Sequence, residues 1–342
     1  MKYPKKILIS LLLLIFTFMW AGCRQEEEKK YTSRIYALDT VIEITVYGEK
    51  AEDAAASAEK EIRRLEGLFS VTKESSEIYK LNHSDGSPIT LSEDTVALLT
   101  EAKKMSSITG GRFDVTIYPV MKLWGFTEKD YKVPDKAQIK AALSSVSTDN
   151  ILLSENYKVQ LKNHAQIDPG GIAKGYIADK VAQAIKNAGA DYGIIALGGN
   201  IRTVGTKPSG EKWMVGIRDP YSPDLFATLS TDECSVITSG AYQRNFTADG
   251  KTYHHIINPK TGYPSDSDAV SVTIIGSEGG LCDALSTAVF IGGSDYAVEL
   301  QSSGVDFDFV ILTKDNNIIA SKNLQGSLTL SENFSHLNVI YK

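Results

Sequence analysis

An α+β fold of mixed helix and strand layers is what this sequence predicts, as one large domain or two intimately packed subdomains. Three observations support that class. Stretches with apolar period 2 and stretches with period 3.6 succeed one another along the whole chain. No Pro-, Gly- or Ser-rich linker and no short-period repeat separates them. Hydrophobic residues make up 42% and charged residues 23% of the 342, proportions that fit a folded globular chain and exclude disorder or a membrane bundle.

The elements follow in order. Within Tyr36 to Tyr47, Val41-Ile42-Glu43-Ile44-Thr45-Val46 alternates as a half-buried strand does. Ala51 to Phe69 sets Ile62, Leu65 and Phe69 on one face of a helix. Ser92 is placed to cap a helix running through Met105, and Glu93 and Asp94 suit its positive end. Lys158 to Asp168 reads as a hairpin turning near Asn163. Gly175 to Ala188 repeats Ile177, Val181 and Ile185 every four residues, a helical spacing. Tyr192 to Leu197 and Val270 to Ile275 are apolar strands, and Leu281 to Ile291 is an apolar helix.

Ahead of these elements, Lys2, Lys5 and Lys6 precede an apolar run from Ile7 to Trp20 that only Ser10 and Thr17 interrupt. The run has the length of a signal-peptide core and is short for a bilayer span. Ala21-Gly22-Cys23 then resembles a bacterial lipobox, in which Cys23 is acylated and becomes the first mature residue. Trp20 departs from that pattern, which prefers an aliphatic residue three places before the cysteine. The expected organisation is a lipoprotein signal peptide over 1–22, a charged tether over 23–33 and a folded domain over 34–342. Lipid chains on Cys23 would hold the protein at the extracytoplasmic face of a bacterial membrane.

Loss of residues 1–22 removes three lysines and no acid, which takes the net charge from −6 to −9. So acidic a protein is a poor partner for nucleic acid. Cys234 and Cys282 are the remaining cysteines, and two buried thiols are the simpler reading than a disulfide.

Four segments hold residues that could carry chemistry. Asp168-Pro169-Gly170-Gly171-Ile172-Ala173-Lys174-Gly175 joins a strand to an amphipathic helix, as a tight turn or as a cradle for a phosphate. It is neither a Walker loop nor a dinucleotide fingerprint. Tyr253-His254-His255-Ile256-Ile257-Asn258-Pro259 leads into a turn through Thr261-Gly262. Neighbouring strand residues face opposite ways, so one histidine could serve a site while the other is structural. Cys282-Asp283-Ala284-Leu285-Ser286-Thr287 sets Asp283 and Thr287 four apart on one helix face. Their oxygens suit Mg²⁺, although an acid near a helix start needs no metal to be explained and, on these residues alone, a cap is the simpler reading. Gly110-Gly111-Arg112-Phe113-Asp114, followed by Trp124-Gly125-Phe126, offers a turn and rings that could form core or a stacking wall.

In this order and spacing, these segments, with Leu197-Gly198-Gly199-Asn200 and Thr238-Ser239-Gly240, resemble the ApbE family of FAD:protein FMN transferases over about residues 34–340. The resemblance implies an ApbE-like fold, and FAD bound at Arg112, Phe113, Asp114, Asp168, Lys174 and Ile257. Leu38 and Thr72 fall at further FAD positions, where methionine and tyrosine respectively are common in the family. Asp283 and Thr287 match Mg²⁺ ligands, joined by the Gly171 carbonyl and by Ser286, and His255 matches the histidine associated with catalysis. The implied reaction transfers the FMN half of FAD to a Ser or Thr hydroxyl of another protein and releases AMP. Flavin-carrying subunits of membrane redox complexes are the implied acceptors. Two other functions remain open at this point. A Mg²⁺-dependent FAD pyrophosphatase is encouraged by Thr72, and a non-enzymatic flavin-binding lipoprotein would not require Asp283 and Thr287.

Overall fold

Strand pairing starts at Lys30 in the computed structural model, which describes residues 29–342 and leaves Cys23 and the leader outside. The first half of the chain forms β1 (Lys30–Ala37), β2 (Thr40–Tyr47), α1 (Ala51–Phe69), α2 (Glu77–Asn82), β3 (Ile89–Thr90) and α3 (Glu93–Ile108). There follow α4 (Tyr118–Trp124), α5 (Lys136–Leu143), β4 (Ile151–Ser154), β5 (Lys158–Leu161) and α6 (Ala173–Asn187). Next come β6 (Gly193–Leu197), β7 (Asn200–Val204), β8 (Trp213–Arg218), β9 (Leu225–Thr231) and β10 (Ser235–Gly240). The hairpin β11 (Asn245–Ala248) and β12 (Lys251–His254) precedes β13 (Ala269–Gly276), α7 (Gly279–Gly292) and α8 (Ser294–Ser302). β14 (Asp308–Thr313), β15 (Ile318–Ala320), β16 (Leu328–Leu330) and β17 (Val339–Tyr341) complete the chain.

A nine-stranded sheet in the order β1-β2-β6-β7-β10-β13-β14-β15-β17 organises these elements. It is antiparallel except where β15 meets β17. Its strands bury both faces, so neighbouring residues serve different cores. Ile237, Ile274 and Ile311 point into a core with Ile62 and Leu65 of α1, Ile177 and Val181 of α6, and Leu285 and Val289 of α7. Val236, Ile275, Val310 and Leu312 point the other way, onto Trp213, Val215 and Ile217 of β8 and Phe226 and Leu229 of β9. Each side chain of this size contributes about 1.5–3 kcal/mol when fully buried. The result is three layers: helices, the large sheet, and the small β16-β9-β8 sheet.

The α+β class expected from sequence holds, and α1 begins and ends where its periodicity places it. Two expectations need correction. The tether expected over 23–33 overlaps the first strand, because residues 30–33 already pair with β2. Only Ser33 and Ala37 of β1 are buried, so this edge strand carries the composition of a polar linker. The hairpin assigned to Lys158–Asp168 is instead β4 with β5, turning at Asn156 and Tyr157, whose φ values are 59° and 57°. Asn163 does turn the chain, at φ 52°, but no strand returns from it; Gln166 meets Ile117 in an isolated parallel bridge. Cys234 and Cys282 are buried free thiols.

Candidate active site

The helix starts of α6 and α7 are locked together by an exchange of caps. Asp283, on α7, accepts the Gly175 amide of α6 at 2.9 Å. Asp179, on α6, accepts the Gly279 amide of α7 at 2.6 Å. Each carboxylate thus satisfies one of the free donors that open the other helix. Glycine is what lets the two backbones come so near: a Cβ at Gly175 would stand 2.0 Å from the Gly279 carbonyl oxygen and 2.8 Å from the Asp283 Cβ. Asp179 is held in turn by Arg202, at 3.3 Å, and Arg202 also reaches Glu233.

Asp283 therefore is a cap, but of the neighbouring helix and by Oδ2 alone. It is buried, 4% exposed, and no lysine, arginine or histidine pairs with it among the described residues. A buried carboxylate without a counter-charge is costly, and a bound cation would answer that cost. Thr287 stands one turn further along α7, and Gly171 lies so near it that a Cβ there would be 3.3 Å from the Thr287 hydroxyl. One carboxylate, one hydroxyl and a nearby main-chain carbonyl make a hard-oxygen donor set that fits Mg²⁺. No cluster of three or more His, Cys, Asp or Glu is present among the described residues, so a zinc-type centre is not what this region offers. Ser286 spends its hydroxyl on the Asp283 carbonyl, at 2.7 Å, and on Ser239, at 2.8 Å. It is fully buried and ties α7 to β10.

The loop before α6 is built on the segment before α4. The Asp168 amide donates to the Val115 carbonyl at 2.7 Å, and the Asp168 carboxylate accepts the Gly170 amide at 2.9 Å. Burial raises the pKa of Asp168, against the pull of the Gly170 amide, Arg244 and Lys174. Phe113 is buried against Gly171. Asp114, raised in pKa by burial, accepts the Thr116 amide at 2.8 Å and fixes this turn. Arg112 lies over the Tyr296 ring, its Cζ 3.9 Å from the centroid, and the Tyr296 hydroxyl donates to the Thr109 carbonyl.

The two histidines divide as strand alternation requires. His254 donates from Nε2 to the Ser265 carbonyl and sits edge-on to Phe290, a structural role. His255 bonds through Nδ1 to the Arg244 carbonyl at 3.1 Å. A carbonyl only accepts, so Nδ1 carries the proton and Nε2 keeps its lone pair. Burial, then the positive field of Arg244, lowers the His255 pKa to about 3. The imidazole is therefore neutral, with a free basic nitrogen. Ile257 is buried with Trp124 and Phe126, and the Trp124 indole donates to the Gly262 carbonyl at 2.8 Å. That bond joins the Trp-Gly-Phe segment directly to the turn that follows His255.

Leu38 and Thr72 come together through Glu66, a residue the sequence did not single out. The Glu66 carboxylate accepts the Leu38 amide at 2.9 Å and binds Lys73 at 2.8 Å. Leu38 has φ 53°, an uncommon angle for a leucine and a strained turn beside a candidate site. Thr72 is exposed, with its amide and hydroxyl turned toward Ser70. Phe69, just before that turn, meets Tyr176 of α6 edge-on at 5.8 Å, which sets the turn beside the start of α6. Besides Glu66, the sequence reading missed Asp179, Tyr296 and Arg244. Arg244 alone left a signal, as an arginine shortly before the histidine pair.

The ApbE family model matches residues 38–309. A FAD:protein FMN transferase of Klebsiella pneumoniae (strain 342) is 34% identical over 265 residues, covering 76% of this chain and 82% of that one. Another, of Treponema pallidum (strain Nichols), is 32% identical over 86% of this chain and 87% of its own. The solved ApbE protein of Thermotoga maritima has a TM-score of 0.83 and 33% identity, over 87% of this chain and 99% of its own. The flavin transferase ApbE of Vibrio cholerae shares the fold, with a TM-score of 0.78 at 22% identity over 88% of this chain and 99% of its own. By the extent of these matches, the chain belongs to the ApbE family.

Proposed function

We propose that this protein transfers the FMN moiety of FAD to a Ser or Thr hydroxyl of another protein, releasing AMP. The observation that carries the reading is the α6–α7 lock, which buries the uncompensated Asp283 beside Thr287 and Gly171. The relatives named as FAD:protein FMN transferases support the substrate. Asp283, Thr287 and the Gly171 carbonyl would hold Mg²⁺, which neutralises the diphosphate and the charge gathering on the departing AMP.

The chain's own residues supply the rest. Lys174, in the first turn of α6, would face the anionic diphosphate from the positive end of that helix. His255 Nε2 takes the proton of the acceptor hydroxyl as its oxygen attacks the FMN-side phosphorus. The bond from that phosphorus to the bridging oxygen breaks, and the oxygen leaves with AMP. Arg112, Phe113, Asp114 and Ile257 wall the binding region, with Leu38 and Thr72 at its α1 side.

Asp283→Asn tests this reading better than alanine, because the amide oxygen still accepts the Gly175 N–H while the charge is gone. With FAD, Mg²⁺ and an acceptor protein, the wild type should give flavinylated acceptor and AMP. Asp283→Asn should stay folded and lose at least about 100-fold in AMP release, the scale of one lost transition-state contact. Free FMN with AMP from the wild type would instead make it a pyrophosphatase, and unchanged FAD a binding protein.

The same reading extends to where the protein works. Acylation of Cys23 would tether it at the extracytoplasmic face, where flavin-carrying subunits of membrane redox complexes are its acceptors. The lysines at 2, 5 and 6, the apolar run and Ala21-Gly22-Cys23 support this.

A further inference from the structure

Arg244 immediately precedes β11 and faces His255 across the hairpin. The antiparallel register pairs Asn245 with His254 and Phe246 with Tyr253. One step outward, Arg244 pairs with His255, and the His255 amide donates to the Arg244 carbonyl at 3.1 Å. Directly opposed residues send their side chains to the same face of an antiparallel pair. The face is identified by its other members: Phe246 and Tyr253, two residues along, stack on each other and pack at a tilt against Trp124. His255 itself meets Phe126 edge-on at 6.3 Å. The guanidinium of Arg244 is thus directed to the side of the hairpin that carries the basic histidine, rather than to the opposite surface.

What it does there is not explained by the fold. Arg34, Arg64 and Arg202 each hold a carboxylate, and Arg112 lies on a ring. Arg244 is exposed and, like the exposed Arg63 and Arg218, has neither among the described residues; its place opposite His255 is what sets it apart. Its charge is nonetheless felt by Asp168 and by His255, the two groups that also feel Lys174. A cation that opposes protonation of the catalytic base, yet has no protein anion of its own, is placed for an anion that arrives with the substrate.

We propose that Arg244 is a diphosphate-binding residue of this site, holding the phosphates of FAD from the hairpin side while Lys174 holds them from the α6 side. The inference rests on the flavin-transfer reading and adds a residue to it. A guanidinium presents paired donors that match phosphate oxygens, which an ammonium does not. It would also stop His255 from ionising before the acceptor hydroxyl delivers its proton.

The test uses Arg244→Gln and Arg244→Lys in the full folded domain, with melting temperature as the check on folding. The backbone carbonyl that orients His255 is retained in both, so a change reports the guanidinium. Dissociation constants are measured for FAD, for ADP and for riboflavin, which lacks phosphate. Arg244→Gln should weaken FAD and ADP about 10-fold or more, the scale of a lost charged hydrogen bond, and leave riboflavin within 2-fold. Arg244→Lys should fall between the two, and added salt should narrow the gap. Equal weakening of riboflavin and FAD would make Arg244 a structural residue and overturn the proposal, as would unchanged FAD and ADP binding. A wild-type protein that binds no FAD would instead defeat the flavin-transfer reading itself and this assignment with it.

Discussion

At the scale of single residues, the proposed roles of His255 and Thr72 are open to direct test. Because burial and Arg244 hold the His255 pKa near 3, the free enzyme should show no acid limb near 6.5 in its pH–rate profile. The sign for stability follows from linkage. The unfolded chain binds the proton near 6.5 and the folded chain only near 3, so stability is lost as pH falls through that window. His255→Ala should remove this slope and lower transfer roughly 10²–10⁴-fold. Melting curves from pH 4 to 8, with rates over the same range, check both; an acid limb near 6.5 in the rate profile, or a stability slope below 6.5 that His255→Ala leaves unchanged, would show that His255 is solvated and chargeable. Thr72 raises a separate question, since its exposed hydroxyl faces Ser70 where a ring is common in the family. Thr72→Tyr should tighten FAD binding by about 1–3 kcal/mol if the new ring stacks on it. A titration that finds the same dissociation constant, and the same ratio of transferred to free FMN, would remove position 72 from the flavin site.

At the scale of elements, the lock between α6 and α7 is where fold and chemistry meet. Gly175→Ala would push a methyl into the Gly279 carbonyl, a backbone atom that cannot swing away. Overpacking of this kind costs about 1–3 kcal/mol, and the helices can relieve it only by separating. Mg²⁺-dependent AMP release should then fall together with melting temperature, whereas Asp283→Asn should lose activity with little loss of stability. Full activity in Gly175→Ala would mean that the lock is not needed to set the Asp283 carboxylate. The helices themselves were legible, because Ile62, Leu65 and Phe69, or Ile177, Val181 and Ile185, repeat with the turn. The pairing between them was not. Asp179 looks like any surface acid of an amphipathic helix until the start of α7 is placed beside it. Glu66 stayed hidden for the same reason, since it acts on Leu38 far back along the chain, while Arg244 left only the signal of its place before the histidine pair. β1 was missed because an edge strand with two buried residues shows no apolar alternation. The site segments were legible through their spacing and resemblance, while the capping role of Asp283 and the division of labour between the histidines needed the fold.

At the scale of the whole molecule, the proposed membrane location raises the question of what would hold an acidic globular protein there. No helix among the described residues is long and apolar enough to cross one. With a net charge of −9 once residues 1–22 are removed, the mature chain would be repelled by anionic lipid rather than drawn to it. The proposed membrane residence would therefore depend on acylation of Cys23. One chain binds only marginally, and two or more make the attachment stable. Cys23→Ser removes the acceptor for both acylation and the cleavage that follows it. Expressed in a bacterium, that variant should accumulate as unprocessed precursor or be recovered in the soluble fraction, while its purified domain should flavinylate an acceptor in solution at the wild-type rate. The contrast separates location from catalysis, because the three-layered core that builds the candidate site lies within the described residues, from Lys30 on, apart from Cys23. Fractionation followed by mass measurement of the N-terminus reads the outcome. A processed, membrane-bound Cys23→Ser protein would show that another feature, such as an uncleaved apolar leader, makes the attachment.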